Sequence, residues 1–395
     1  MGATSTRPSS EIDLFSDESV LDPYENYRQL RDVAPAVYLT ATDAWAISRF
    51  DDVREVLRDW ERFTSAKGVA LNDPMNEANV GGIIASDPPL HTKLRRVLAE
   101  RLSPKAIDAL TDRINQEADE LVTAVIAKGS FDGVQDLAGI FPIQVVADLI
   151  GLPDEGRDRL LEWANAVFDA FGPDNERSAT GLPLVGEMWQ YVGEVATRDR
   201  LAPGSMGLAV YEAADRGEIE PESCIMLMGG YVAAGMDTTI NAIGTGLQLL
   251  ATHPEQWQAL KSDPGLVRSA GNEILRYESP VQVFARTATA DQEVSGQLVP
   301  EGERVLVLYG SANRDERKYE DPDRFDVTRN PIDHVGLGHG IHRCAGAALA
   351  RLEIEAILSS LINRVEEIRL EGEPVRQPNN TVRGLRNLPL SVTVS

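Results

Sequence analysis

In the 395-residue chain, the residue types best suited to chemistry gather in Gly336-Leu337-Gly338-His339-Gly340-Ile341-His342-Arg343-Cys344-Ala345-Gly346. Alternating Gly336, Gly338 and Gly340 permit positive φ angles and let the backbone lie flat against a bulky planar group, with no side chain to hold the plane away. The run from Ala345 to Leu361 has good helix formers and few breakers. It would set the Cys344 sulfur at a helix N-terminus, where amide N–H groups and the dipole favour an anion and lower a thiol pKa. Cys344 is therefore read as a thiolate metal ligand. Iron held against a flat macrocycle is one reading. Zinc is another, because His334, His339, His342 and Cys344 lie close in sequence and are ligand types that zinc accepts. The second cysteine, Cys224, is read as a buried small hydrophobe.

Three further stretches occur in a fixed order: Ala234-Gly235-Met236-Asp237-Thr238-Thr239, Glu273-Ile274-Leu275-Arg276 and Asp321-Pro322-Asp323-Arg324-Phe325. With the cysteine loop they resemble the signature segments of the cytochrome P450 family. That family usually has phenylalanine seven residues before the cysteine, where this chain has Leu337, a difference that bears on redox potential.

The resemblance implies a mainly α fold with a small β region and a long central helix over a haem. It makes haem b the cofactor and Cys344 its iron ligand, with His91, Arg95, Arg286 and His342 around the propionates. It gives Asp237 and Thr238 the delivery of protons to dioxygen. Glu273, Arg276 and Arg324 would form a structural charge triad. Electrons would come from NAD(P)H through a ferredoxin reductase and a ferredoxin. The rival readings are a haem-thiolate sensor without turnover, for which a proton relay is superfluous, and a zinc-binding structural protein.

Within the family, Phe168-Asp169-Ala170-Phe171-Gly172-Pro173, Ser279-Pro280-Val281-Gln282, Gly310-Ser311-Ala312-Asn313-Arg314-Asp315 and Asn379-Asn380-Thr381-Val382-Arg383-Gly384-Leu385 resemble bacterial enzymes that oxidatively demethylate para-methoxybenzoates. The likeness implies a pocket of Ile84, Phe168, Phe171, Ala234, Val281 and Phe284 around a flat aromatic ring. Those relatives anchor a carboxylate with an arginine and serines, where this chain has Ala78, Gly81 and Gly230. No arginine or lysine occurs from Asp73 to His91, and a buried unpaired benzoate would be costly by several kcal/mol, roughly. The expected substrate therefore moves toward neutral methoxyphenols such as guaiacol or syringol, with Asn76, Asn79 or Asn175 as hydrogen-bond partners. Hydroxylation of another small hydrophobic compound is the alternative.

The formal net charge is −24, which repels nucleic acid and anionic membrane surfaces. The densest basic cluster, Lys93, Arg95, Arg96, Arg101 and Lys105, is read with Arg343 as a dock for an acidic electron-transfer protein. Two cysteines in dissimilar settings fit a reducing cytoplasm. No apolar signal segment opens the chain, so a cytoplasmic enzyme is expected, with residues 1–18 a disordered tail and residues 19–395 one domain.

The elements that must position these residues follow from pattern. Ala36 to Leu39 and Ala44 to Ser48 read as strands across a turn, and Asp51 or Asp52 as the cap of a helix carrying Val53, Val56 and Leu57. Residues 69–85 read as a roof loop, and Ser103-Pro104 as a cap and first-turn proline. Gly151-Leu152-Pro153 reads as a break, and Glu222 to Thr252 as one buried helix stopped by Pro254. Val305 to Tyr309 and Leu388 to Val394 read as strands.

Overall fold

The computed structural model describes residues 7–394. The expected strands form as Ala36–Leu39 and Ala44–Ile47, antiparallel, and Ala44–Ile47 runs parallel to Arg304–Leu308. Val283–Ala288 and Phe63–Thr64 extend the sheet on the far side. Side chains alternate between two buried faces: Tyr38, Trp45, Ile47, Val305 and Val307 pack on one, while Val37, Leu39, Ala46, Leu306 and Leu308 pack on the other. Burial on both faces is why these strands read as unbroken apolar runs.

The N-terminal segment departs from the expected tail. Ser9–Ser10 pairs parallel with Tyr38 and Leu39, and Ser16 caps the helix Asp17–Leu21 by accepting from Ser19 N–H. Arg177 then ties the segment down through Phe15 O and Asp17. Only residues 1–6 of the expected tail lie outside the described residues.

The helical body holds most of the core, and its central element differs from the single helix expected. Ser223–Ala234 and Asp237–Thr252 are separate helices. At the break a Cβ on Gly235 would fall 2.8 Å from Val146 and 2.9 Å from Tyr231 O. Met236, at φ −115° and ψ −64°, leaves the helical path. Asp237 heads the second helix, where a carboxylate suits the dipole.

Two local expectations are also revised. The first-turn N–H of Phe50 is taken at 2.8 Å by Asp315 Oδ2, so the helix Phe50–Arg58 is capped from a distant segment and not by Asp51 or Asp52. The roof loop contains a helix, Asp73–Ala78, whose cap Asn72 accepts from Met75 N–H at 2.9 Å. Ser103 caps Pro104–Asp108, and Gly151 ends Phe141–Ile150 at φ +84°, both as expected.

Candidate active site

The cysteine loop is fastened before it reaches Cys344. Val335 N–H donates to Asn313 Oδ1 at 2.9 Å, Gly336 N–H to His334 Nδ1 at 3.1 Å, and Cys344 N–H to Leu337 O at 2.8 Å. Gly340, at φ +67°, has no room for a Cβ, which would lie 2.2 Å from Leu57 O. At Gly336 a Cβ would lie 2.4 Å from Leu275 O. These two glycines thus press the loop onto neighbouring backbone. The helix behind the cysteine is Ala347–Ile362, capped by Gly346.

Cys344 is exposed, yet its thiol is densely surrounded by protein atoms. Burial pushes its thiol pKa up, although the Gly346 N–H and the charges of Arg95, Arg351 and Arg343 pull it down. The helix N-terminus by itself therefore does not produce a thiolate. A bound metal cation would, because it deprotonates a coordinating thiol. Cys224 is buried, its thiol facing Val210 O at 3.8 Å, as expected of a small hydrophobe.

Around this loop stand four donors without an anion. The rings of His91 and His342 meet edge to face, and the Nε2 of each is buried with no partner. Arg286 is buried and donates to its neighbour Ala285 O at 2.7 Å and to Tyr309. Arg95 is half-buried, and desolvation lowers its pKa. Desolvation first, then the charges of Arg286, His91 and Arg95, pushes His342 down to about 2. Two orphaned imidazole nitrogens, together with the guanidinium groups of Arg95 and Arg286, converge from one helix, a strand and the loop; this donor set fits the two carboxylates of haem propionates. The zinc alternative finds no support, because no three His, Cys, Asp or Glu among the described residues gather as a metal site.

On the other side lies the helix break. Asp237 is buried, Asn241 Nδ2 donates to its Oδ1 at 3.2 Å, and its Oδ2 has no partner. Burial raises its carboxyl to about 7, against the hydrogen bonds of Asn165 and Asn241. Thr238 Oγ1 donates to Ala234 O at 3.4 Å across the break, the back-bonding to which hydroxyls in helices are prone. Ala234 is exposed although Val232 and Met236 beside it on the same stretch are buried.

Of the expected pocket residues, Phe168, Phe171 and Phe284 form one wall. Phe168 and Phe171 lie 6.3 Å apart, and Phe171 meets Phe284 edge to face at 5.4 Å. Ile84 and Val281 pack against the same core. The three asparagines offered as substrate partners are engaged elsewhere. Asn76 binds both backbone groups of Ala70, Asn79 donates to Met75 O, and Asn175 caps Glu176–Glu194 while bonding Asn380.

The charge triad forms with a different third member. Glu273 and Arg276, both fully buried, pair bidentately at 2.7 and 2.8 Å. Arg329 Nε approaches Glu273 Oε1 at 3.4 Å, whereas Arg324 points to solvent and pairs with Asp326. Arg324 contributes only its carbonyl, which accepts from Arg276. The loop turns back after Phe325, so the arginine five residues further on reaches the carboxylate.

The basic cluster is also divided. Arg95 acts electrostatically on Arg343, but Arg96, about 100° further round its helix, acts on Glu218. The cations that gather near Arg343 are Arg54 and Arg58 beside His339, and Arg351. Helical phase separates residues that the chain writes side by side.

The cytochrome P450 profile matches residues 265–394. Over 392 residues the chain is 41% identical to cytochrome P450 CYP199A2 of Rhodopseudomonas palustris, covering 98% of this chain and 95% of that protein. It is 34% identical to cytochrome P450 107B1 of Saccharopolyspora erythraea, with 95% and 96% covered. The solved structure of Mycobacterium marinum CYP268A2 in complex with pseudoionone is similar at a TM-score of 0.88 and 31% identity, covering 98% of this chain and all of that one. Sequence and fold agree over nearly the whole length: the chain belongs to the cytochrome P450 family of haem-thiolate monooxygenases.

Proposed function

We propose that this monooxygenase O-demethylates small neutral methoxy-aromatics. The haem, once bound, supplies activation of dioxygen on a thiolate-ligated iron, a ligation that favours O–O cleavage. Cys344 is the thiolate in this proposal, and His91, Arg95, Arg286 and His342 hold the propionates. The substrate methyl carbon receives one oxygen atom, and the resulting hemiacetal breaks into a phenol and formaldehyde. The second oxygen atom leaves as water with two protons and two electrons. Asp237 and Thr238 pass the protons inward. The electrons come from NAD(P)H through a ferredoxin reductase and an acidic ferredoxin that docks on the cations near Arg343.

One observation supports the substrate class: the expected pocket residues include an aromatic wall, and the three asparagines expected to anchor a substrate bond to other protein groups. Phe168, Phe171 and Phe284 suit a flat ring, and Asn76, Asn79 and Asn175 have their amides occupied. Burying a ring of that size gains about 1.5–3 kcal/mol, which does not offset an unpaired desolvated carboxylate.

The test is a titration at neutral pH of guaiacol, syringol and para-methoxybenzoate, followed in the haem Soret band. The neutral phenols should give the larger spin-state shift and release formaldehyde in proportion to NAD(P)H consumed. Clearly tighter binding of the benzoate would overturn the assignment.

A further inference from the structure

The wall formed by Phe168 and Phe171 stands at the C-terminus of the helix Leu160–Ala170, where the last carbonyls of a helix have no partner within it. Here distant segments take them. Asn72 Nδ2 donates to Ala170 O at 2.6 Å and to Gly172 O at 2.7 Å, and Leu71 N–H donates to Phe171 O at 2.9 Å. Three successive carbonyls, with that of Phe171 in the middle, are thus held from the roof segment. Asn72 is buried and its amide is fully used: Nδ2 serves the wall, while Oδ1 accepts from Met75 N–H at 2.9 Å and caps the roof helix Asp73–Ala78. From the other side Asn380 Nδ2 donates to Asp169 O at 2.8 Å, so close to the chain that a Cβ on Gly172 would meet it at 2.3 Å. Thr381 O, next along that turn, accepts from Gln282 N–H at 2.8 Å, and Val382 pairs with Val281. The turn therefore joins the Phe168 and Phe171 wall to the segment that carries Val281 and Phe284.

We propose that Asn72, opposed by Asn380 across the same stretch of chain, is a positioning residue for substrate, fixing the place of Phe171 and thereby the aromatic ring that the pocket holds firmly. This rests on reading Phe168, Phe171 and Phe284 as the substrate wall. Both peptide groups that flank the Phe171 Cα are tied by their oxygens, which leaves the ring only its side-chain rotations. The edge-to-face contact with Phe284 at 5.4 Å then limits these. Carbonyls released from such bonds are costly to leave unpaired and turn to other partners, so the wall moves when Asn72 no longer reaches it.

The variant Asn72→Ser separates the two tasks of this amide, because serine still accepts at a helix N-cap but is too short to bond both carbonyls. In the haem-loaded enzyme, imidazole and 4-phenylimidazole ligate the iron through the same kind of nitrogen, and only the second brings a ring to the wall. Titration in the Soret band should show 4-phenylimidazole binding weakened about tenfold, the weight of an aromatic contact, with imidazole binding unchanged. Hydrogen exchange read by mass spectrometry without any ligand should quicken in residues 168–173 and not in the roof helix. Asn380→Ser, which removes the bond to Asp169 O, should loosen the same residues from the other side and keeps the proposal testable if Asn72→Ser does not fold. Unchanged exchange in that stretch overturns the proposal and leaves the aromatic wall standing. Equal weakening of both azoles also overturns it, since a merely structural loss would do the same. Quickened exchange with both affinities unchanged overturns it by showing that a bound ring does not meet these phenylalanines.

Discussion

The rings of His91 and His342 lie 4.5 Å apart at an interplanar angle of 62°, each with its Nε2 buried and unpartnered. Their proximity is tolerable because His342 stays neutral, and a propionate between them and Arg286 would satisfy both. His342→Leu should speed haem transfer to apomyoglobin about tenfold, which corresponds to about 1.4 kcal/mol, near the lower end for a hydrogen bond to a charged group. An unchanged transfer rate would remove His342 from the propionate site.

His334 gives a pH dependence of definite sign. Burial pushes it down to about 3, and its Nδ1 must be unprotonated to accept from Gly336 N–H. Below about 6.5 the unfolded chain takes up a proton that the folded chain refuses, so the folded state loses stability as pH falls from there toward 3. The stability difference between wild type and His334→Gln should shrink by about 1.4 kcal/mol per pH unit in that window. Urea unfolding at pH 7, 6 and 5 measures it, and parallel curves would refute the assignment.

Replacing Arg329 should matter where replacing Arg324 does not. Arg276→Ala strands a fully buried Glu273 at a cost of about 3–5 kcal/mol, and Arg329→Ala removes the second positive charge beside that carboxylate, 3.4 Å away, at about 1–2 kcal/mol. Arg324→Ala, on an exposed pair, should stay within about 0.5 kcal/mol. Denaturation midpoints of the three variants rank them, and an Arg324 effect equal to that of Arg329 would restore the original triad.

Thr238→Ala removes the hydroxyl at the helix break while sparing the pocket walls. Substrate binding should persist, and reducing equivalents should be diverted to hydrogen peroxide. Unaltered yield of product per NAD(P)H would exclude the threonine from proton delivery.

The division of the basic cluster predicts unequal effects on electron transfer. Arg58→Glu should slow reduction by an acidic ferredoxin and flatten its salt dependence, since steering is screened over roughly 8–10 Å at ordinary ionic strength. Arg96→Glu should do so less. Stopped-flow rates at two salt concentrations compare them, and equal effects would return the dock to the helix Leu90–Leu102.

What could be read from the chain was chemistry carried by local spacing. The cysteine loop, Glu273 with Arg276, and the short strands each sit within a few residues, where periodicity and glycine placement speak directly. What escaped depended on partners far away in sequence. Asp315 caps a helix that begins at Phe50, and Asn380 fixes Asp169. Arg329 and Arg324 occupy the same polar loop, and only its path decides which one reaches Glu273. The helix break left a signal, glycine followed by Met236-Asp237. Its position follows from Val146, which crowds Gly235 from another helix.

The short strand Ser9–Ser10 shields the outer edge of the six-stranded sheet by pairing with Tyr38 and Leu39. A truncation that removes it would leave Ala36–Leu39 as a bare, apolar edge with unpaired amides, a template for strand addition by another molecule. Shortened forms of this protein should therefore fail in the cell by self-association before they lose any residue near the haem, and affinity tags are better fused ahead of residue 7 than spliced in its place.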